Sequence, residues 1–377
     1  MPRLTFYPSL IRSLYLPVLF AFSLVLLWPV SVQAEVLRNL YQAELAADAA
    51  ADRQQQLRTA LLEVLGRLAG SKAVGERLLA DENPEAMLRR SSTTDDGVQR
   101  VEFEPLLVNG ILHRAGIPML GRNRPAALVW AVQSGVLGDE WLPGDGDWLT
   151  LLQQAAARRG VALALPLGDL QDRALVDEQS IRKADQTVLR EASQRYAADG
   201  VLVLGLSAPG QAAQLDWHFW LGGSTRNGRL RGDDPAALAD QLMLALADEI
   251  IAQYAVSTDA SSAEGHWLLQ VEGLRSLDDY AGLMRTLSQL GSEQAPRLVY
   301  IRGDQVRVAL EFPGSLSQLQ RLLALDHRLR PLSVDEEPLT TSLDDSTDAE
   351  QDGQSAIEDA SPQPDSAQGP LLRFQWR

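Results

Sequence analysis

Three continuous apolar runs place the strongest constraint on how this chain can fold. They cover residues 127–132, 161–165 and 201–206, and each has the length of a β-strand. A strand that is apolar at successive positions has both faces covered, as in a sheet with helices packed against it. Residues 147–159 and 181–198, which separate the runs, carry helical patterns. Strands that alternate with helices indicate βαβ units, so we predict a mostly parallel sheet.

A different pattern predicts a fourth strand. Apolar and polar side chains alternate over residues 215–221, which is typical of a strand with one solvated face. We expect this strand to be antiparallel and near a sheet edge. A helix is predicted to start at Asp234-Pro235, because proline suits the first helical turn, and to end near Tyr254. Together with a helix before residue 68, these elements predict an α/β domain over residues 35–256.

A second, smaller domain is predicted after a polar linker at residues 257–264. Residues 265–332 give a strand, a helix, two strands joined by a tight turn and another helix. This order supplies five of the six elements of a ferredoxin-like βαββαβ module. Either residues 328–332 or the alternating residues 370–377 supply the last strand. The class expected for the whole chain is α+β.

Residues 333–369 interrupt this module with a different composition. The segment is rich in Asp, Glu, Ser, Gln and Pro and contains no Lys or Arg. Such a segment cannot bury enough apolar surface to offset the entropy of ordering it. We therefore predict an acidic disordered insertion, after which residues 370–377 return to the sheet as a C-terminal strand.

Residues 1–34 have the layout of a secretory signal peptide. Arg3 and Arg12 form a basic start, an apolar run follows over residues 14–28, and Val32-Gln33-Ala34 resembles a cleavage site. We predict cleavage after Ala34 and a periplasmic protein. The alternative is a leader that is retained as an anchor. The apolar run is shorter than the roughly 20 residues of a spanning helix, and no later stretch is long and apolar enough to span.

Charge and cysteine content exclude several classes of function. The formal net charge is −16, which argues against binding to nucleic acid, since phosphates require Lys and Arg patches. The chain contains no cysteine, so it has no disulfides, thiolate metal ligands or lipidated cysteine. Other envelope proteins are the expected partners.

Carboxylates follow two of the predicted buried strands. Asp139, Asp145 and Asp147 come after the first, and Asp169 comes after the second. Loops at the carboxyl ends of parallel strands are common ligand sites, and hard cations bind several oxygens. We therefore mark these four residues as a candidate ligand loop. The alternative is that they are helix caps and solvated turns.

Two aromatic, alternating strands are candidate edges for binding a partner. The residues concerned are Trp217, His218 and Trp220 in the first strand and Phe374 and Trp376 in the second. Exposed edge strands pair readily with other chains. The alternative is that both strands are covered within the fold. The four histidines are scattered, and the sequence contains no nucleophile elbow and no phosphate-binding glycine loop. We therefore assign no catalytic residue and no cofactor.

One discontinuous motif resembles a known family. It consists of Val101-Glu102-Phe103, residues 112–118, Gly121-Arg122-Asn123-Arg124-Pro125 and Leu128-Val129-Trp130. This run is similar to the central signature of domain of unknown function 2066, an uncharacterised family of exported Gram-negative envelope proteins. The resemblance implies an exported protein and supplies no catalytic residues. The physical role we expect for the motif is structural, with Pro125 keeping Arg124 out of a helix and Trp130 packed in the core.

Two hypotheses about function follow. The first is a non-enzymatic interaction or accessory factor of the cell envelope, because the chain has a leader and two domains and shows no catalytic constellation. The second is a periplasmic ligand- or cation-binding protein, or a hydrolase that uses the carboxylates at the sheet edge.

Overall fold

The computed structural model describes residues 39–377 except for 46–51, 74–75, 94–97, 143, 145, 197, 208–211, 257–264, 291–294 and 333–369. The predicted leader, the linker, the acidic insertion and Asp145 therefore lie outside the described residues. The α+β class is confirmed, since helices and three separate β-sheets are present. The chain divides into two compact units. The first contains Ala126–Thr150 and Leu163–Leu238, and the second contains Ala34–Pro125, Leu151–Ala162 and Ala239–Arg377.

The helices and strands, numbered in chain order, have the following bounds. The helices are α1 Arg53–Ala69, α2 Pro105–Arg114, α3 Asp147–Arg159, α4 Leu170–Leu175, α5 Glu178–Arg182, α6 Gln186–Ser193, α7 Pro235–Tyr254, α8 Leu277–Ser288 and α9 Leu316–Ala324. The strands are β1 Gln42–Leu45, β2 Leu88–Thr93, β3 Gln99–Phe103, β4 Ala126–Ser134, β5 Asp139–Trp141, β6 Ala162–Ala164, β7 Gly200–Leu206, β8 Ala213–Leu221, β9 Ser224–Gly232, β10 Gly265–Glu272, β11 Arg297–Arg302, β12 Gln305–Phe312, β13 Leu329–Pro331 and β14 Leu371–Trp376.

The first unit is built on a mixed six-stranded sheet. Its strand order is β5-β4-β7-β8-β9, with β6 paired to β4. Only the β4–β7 pair is parallel among the ladders described in register, and β5, β8 and β9 join antiparallel. The expected mostly parallel sheet is therefore corrected to a mixed one. Strand β9 was not predicted from the sequence because its residues, Ser-Thr-Arg-Asn-Gly-Arg-Leu-Arg-Gly, are mostly polar.

A Gly-Gly turn explains why β9 pairs with β8. Leu221 and Ser224 are opposite each other, so that only Gly222 and Gly223 connect the strands. Gly222 has a φ of 56°, a backbone conformation that glycine adopts without steric cost. Two-residue hairpin turns of this kind match the natural twist of the strands.

Aromatic side chains fill the core of the first unit. Trp130 of β4 is completely buried, and its indole nitrogen donates to the Ser193 Oγ at 2.9 Å. The rings of Trp141 and Tyr196 lie 5.6 and 6.4 Å from it. The predicted core position of Trp130 is thus confirmed, and the hydrogen bond satisfies the one polar atom that its burial would otherwise leave without a partner.

Two further sheets belong to the second unit. In the first of them, β3 lies between β1 and β2, and all pairs are antiparallel. Helix α1 places Leu57, Leu61, Val64 and Leu65 in the core beside Phe103, which is fully buried. These residues recur every three or four positions, so they form one apolar face of the helix, and that face is buried.

The other sheet of this unit has five strands in the order β11-β12-β10-β14-β13. The order β10, α8, β11, β12, α9 reproduces the five expected elements of the ferredoxin-like βαββαβ pattern, but the sheet has one strand more than the four of that pattern. Both candidates for the last strand are used, because β14 lies parallel to β10 and β13 pairs antiparallel on its outer side. Strand β13 has three residues and ends at Pro331, which has no backbone N–H to donate and therefore suits an outer position.

Two buried arginines connect separate segments of the second unit. The Arg124 guanidinium donates to the carbonyl oxygens of Arg67, Leu120, Gly121 and Gly160 at 2.8–3.1 Å. Arg67 in turn donates to the carbonyls of Asn39, Leu40, Gln42 and Arg158 and to the Glu63 carboxylate. Gly160 has a φ of 67°, and a Cβ atom there would lie 2.8 Å from an Arg124 nitrogen. The close approach of Arg124 therefore requires glycine at this position.

Candidate ligand-binding cleft

A cleft of about 770 Å³ opens in the second unit. Helix α2, the loop over residues 119–123 and the ends of α7 and α8 form its walls. Its apolar lining residues are Leu106, Met119, Leu120, Tyr254, Val256, Leu290 and Leu322. Both the volume and the largely apolar wall with a few polar groups are typical of small-molecule sites.

Tyr41 and Arg122 form the polar centre of the cleft. The Tyr41 hydroxyl donates to the Asn109 Oδ1 at 3.0 Å, which fixes the ring, and the Arg122 guanidinium carbon lies 6.0 Å from the ring centroid. A cation above an aromatic face at this distance is attracted by the ring quadrupole. Burial raises the pKa of Tyr41, so its hydroxyl keeps its proton and remains a donor at neutral pH.

Backbone contacts on both sides hold the loop that carries Arg122. Met119 forms a two-bond bridge with Val256, and the Leu120 N–H donates to the carbonyl of Leu68 at 2.9 Å. On the far side, the buried side chain of Arg124 anchors the chain. Arg124 is buried while Arg122, two positions earlier, is exposed at the cleft. A positive charge is thus presented by a fixed backbone.

The lining of the cleft favours an anion. Arg122 is a permanently charged side chain, and no Asp or Glu is among the described residues that line the cleft. Asn123, His113, Ser288 and Gln289 add further polar groups around the opening. Arginine binds carboxylates through paired N–H donors. The arrangement can therefore hold an anionic group at Arg122 while an apolar body contacts the leucine and valine side chains.

The structure does not bring the predicted ligand loop together as a site. Asp139 on β5 forms an ion pair with Arg182, at 2.5 and 2.7 Å, and this hydrogen-bonded arginine lowers the pKa of Asp139. Asp147 is the exposed first residue of α3, and Asp145 is outside the described residues. Asp139 is therefore held in a strand by an ion pair, and Asp147 lies in the first turn of a helix.

Asp169 caps a helix and belongs to a closed ionic network. It accepts from the backbone N–H groups of Gln171 and Asp172 at the start of α4 and from the Arg195 guanidinium at 2.8 Å. The arginine lowers the pKa of Asp169 to about 2. Asp172, which is fully buried, accepts from Arg195, the Gly168 N–H and the Tyr196 hydroxyl. Each carboxylate oxygen has a donor, so the network stabilises the fold and leaves no free ligand oxygen.

Neither of the predicted partner edges lies at an edge. Strand β8, with Trp217, His218 and Trp220, is between β7 and β9, and β14, with Phe374 and Trp376, is between β10 and β13. Trp220, Phe374 and Trp376 are buried. The correction has a simple cause, since alternation along a strand shows which face is buried but not which strands pair on either side.

A shallower groove of about 530 Å³ lies on the first unit, and His218 is among its lining residues. Arg229 and Asp216, which both line the groove, form an ion pair, and the lining residue Arg182 pairs with Asp139. Among the described residues, no three His, Asp or Glu side chains are grouped so that they would hold a metal ion. Within the same residues, no helix has the length and apolar content that a membrane crossing requires.

Comparison with known proteins gives one family match. Residues 34–121 match a family model described as Domain of unknown function (DUF8605). The family is uncharacterised, as the resemblance implied, but it is not domain of unknown function 2066. No curated protein and no solved structure matches this chain. Half of the cleft residues, from Tyr41 to Gly121, come from the matched region.

The cleft could not be predicted from the sequence because its residues are dispersed along the chain. Tyr41, Asn109, Arg122 and Gln289 belong to four separate segments, and none forms a recognisable motif with its chain neighbours. Arg122 belongs to the Gly-Arg-Asn-Arg-Pro run, and nothing in that run distinguishes an exposed arginine from a buried one.

Proposed function

We propose that this chain is a non-enzymatic binding protein of the cell envelope. Its ligand is a small molecule that combines a carboxylate with an apolar chain or ring. The observation that carries the proposal is the cleft of the second unit, in which the Arg122 charge faces a largely apolar wall with no Asp or Glu among its described lining residues.

Export to the periplasm is part of this proposal and rests on the sequence. The basic start, apolar run and small-residue site of residues 1–34 support it. The family match begins at residue 34, the last residue of the expected leader, which is consistent with a domain that starts after cleavage.

Binding of a carboxylate ligand is favoured over cation binding and hydrolysis because of where the charges lie. A cation-binding or hydrolytic site would need free carboxylates, and Asp139 and Asp169 are each engaged by an arginine.

A role as a protein-interaction factor is the second candidate function. A specific observation favours it, namely the apolar side chains exposed on strand β11 at the border of its sheet.

Binding of carboxylates and their uncharged analogues tests the proposal. The probes are hexanoate, benzoate and phenylacetate, each compared with its primary amide by calorimetry. We expect at least one carboxylate to bind and its amide to bind more weakly. Arg122→Gln should weaken carboxylate binding by about 10- to 150-fold, since a charge-assisted hydrogen bond contributes about 1.5–3 kcal/mol. Arg285→Gln, an exposed arginine of α8, is the matched control. Equal binding of acid and amide, or an equal loss in both variants, would contradict the proposal.

A further inference from the structure

The outer strands of the sheets differ in how their free edges are protected. Natural proteins make edges unattractive with charges, proline or very short strands. Strand β9 carries Arg226, Arg229 and Arg231, β13 has three residues with Pro331, and β5 also has only three residues. Strand β2 exposes Arg89 and Arg90 and then Ser and Thr. Each of these strands follows the expected protective pattern.

Strand β11 does not follow that pattern. It has six residues, and Leu298, Val299 and Ile301 are 38%, 37% and 57% exposed. Among the described residues it pairs only with β12 and forms one border of its sheet. The apolar side chains therefore lie next to backbone groups for which the described part of the chain provides no ladder partner on the outer side.

The register shows that this apolar surface continues the module's core face. Leu298 is opposite Val308 and Ile301 is opposite Val306, and both valines are buried. Directly opposite residues lie on the same face of a sheet. A β-bulge between Leu298 and Tyr300 leaves Val299 without an opposite residue. The bulge limits regular pairing to short stretches, so side-chain packing must contribute much of the binding to this edge.

Charges at the two ends of β11 indicate what can pair with it. Arg297 and Arg302 bound the strand, and no ion pair involves either side chain among the described residues. In an antiparallel pair of two β11 strands centred on Val299 and Tyr300, Arg297 would lie opposite Arg302 at both ends. Like charges directly opposite each other are destabilising. The edge therefore disfavours a second copy of this chain and favours a strand with acidic ends.

We propose that β11 binds an extended segment of a partner protein by strand addition. This segment carries apolar residues at its centre and a carboxylate at each end. It extends the five-stranded sheet by one strand, its apolar side chains cover Leu298 and Ile301, and its carboxylates pair with Arg297 and Arg302. This interaction surface is separate from the cleft and from its carboxylate ligand.

The test uses the full chain and a labelled peptide, acetyl-Glu-Val-Thr-Val-Thr-Glu-amide. The matched control peptide has lysine in place of both glutamates. We expect the acidic peptide to bind at least tenfold more tightly at low salt, because two ion pairs replace two repulsions. The difference should shrink as salt is added. Fluorescence anisotropy measures both affinities.

Variants separate strand addition from general electrostatic attraction. Ile301→Lys places a charge on the apolar edge and should weaken binding at least tenfold, and Arg302→Glu should abolish the preference for the acidic peptide. Thr225→Lys adds the same charge to the exposed edge strand β9 and should leave binding unchanged. Circular dichroism confirms that each variant is folded.

Three outcomes would overturn the inference. They are equal affinity for the two peptides, equal losses in Ile301→Lys and Thr225→Lys, and a concentration-dependent dimer of the chain that Ile301→Lys dissociates. The last would assign the edge to a second copy, and sedimentation velocity measures it. Arg122→Gln should leave peptide binding intact, so failure of the cleft proposal and failure of this one are distinguishable.

Discussion

Two arginines that are two positions apart have opposite roles in this protein. Arg122 is exposed and faces the cleft, whereas Arg124 is 1% exposed and donates to four carbonyl oxygens. Burial lowers the pKa of Arg124 to about 9, and the nearby Arg67 acts in the same direction. Such a buried cation persists only because hydrogen bonds replace its lost hydration. The side chain of Arg124 therefore holds the loop from which Arg122 projects.

Replacing Arg124 should cost much more stability than replacing Arg122. We expect Arg124→Ala to lower the free energy of unfolding by about 3 kcal/mol, because buried carbonyls lose their donors. Arg122→Ala should change it by less than about 0.5 kcal/mol, as is usual for exposed positions. Urea denaturation measures both values. Similar values for the two variants would show that the carbonyl contacts contribute little.

At the scale of elements, β14 is a strand that joins its sheet from a distant part of the sequence. It enters the sheet between β10 and β13, although it is separated from β13 by residues 332–370. Phe374 and Trp376 face the core, and the Trp376 indole donates to Asp279 at 3.1 Å while its ring lies against the Arg328 guanidinium. The C-terminal strand thus completes the core of the ferredoxin-like module.

Substitutions on the two faces of β14 should differ in how much stability they cost. Phe374→Ala should destabilise the protein by about 3–5 kcal/mol, since it removes a buried aromatic ring and leaves a cavity. Leu371→Ala, at a half-buried position of the same strand, should cost less than about 1.5 kcal/mol. Thermal unfolding followed by circular dichroism checks the order of the two. The reverse order would mean that β14 contributes little to the core.

At the scale of the whole molecule, the acidic segment 333–369 separates two strands that are adjacent in the sheet. Its composition predicts a segment without packed structure of its own. Strand β14 pairs in parallel with β10 and antiparallel with β13. We therefore expect β14 to stay paired in the sheet even when the connection to β13 is cut.

Cleavage with a glutamate-specific protease tests whether β14 needs this connection. We expect cutting between residues 333 and 369, where exposed polar segments are preferred sites, to leave the C-terminal fragment bound to the rest of the protein. Native gel filtration should recover both pieces in one peak, and mass spectrometry after denaturation should show two. Loss of the fragment under native conditions would contradict the prediction, as would resistance of the segment to the protease.

Local sequence patterns predict most of the helices and strands but little of the cleft. The buried runs that contain Trp130 and Val203 and the helix from Pro235 to Tyr254 all occur where the sequence indicated. Strand β9 was missed because it gains stability from pairing with β8, not from apolar residues of its own. The cleft was missed because its walls meet only after the chain has folded.

The sequence by itself determined the α+β class, the ferredoxin-like order and the burial of the central strands, because periodicity and capping act within a few residues. Tertiary structure alone decided that β4 and β7 are the parallel pair, that β14 lies inside its sheet and that Arg124 is buried while Arg122 is exposed. These outcomes depend on which distant segments pair and pack. Long-range contacts of this kind leave no regular spacing in the amino-acid sequence.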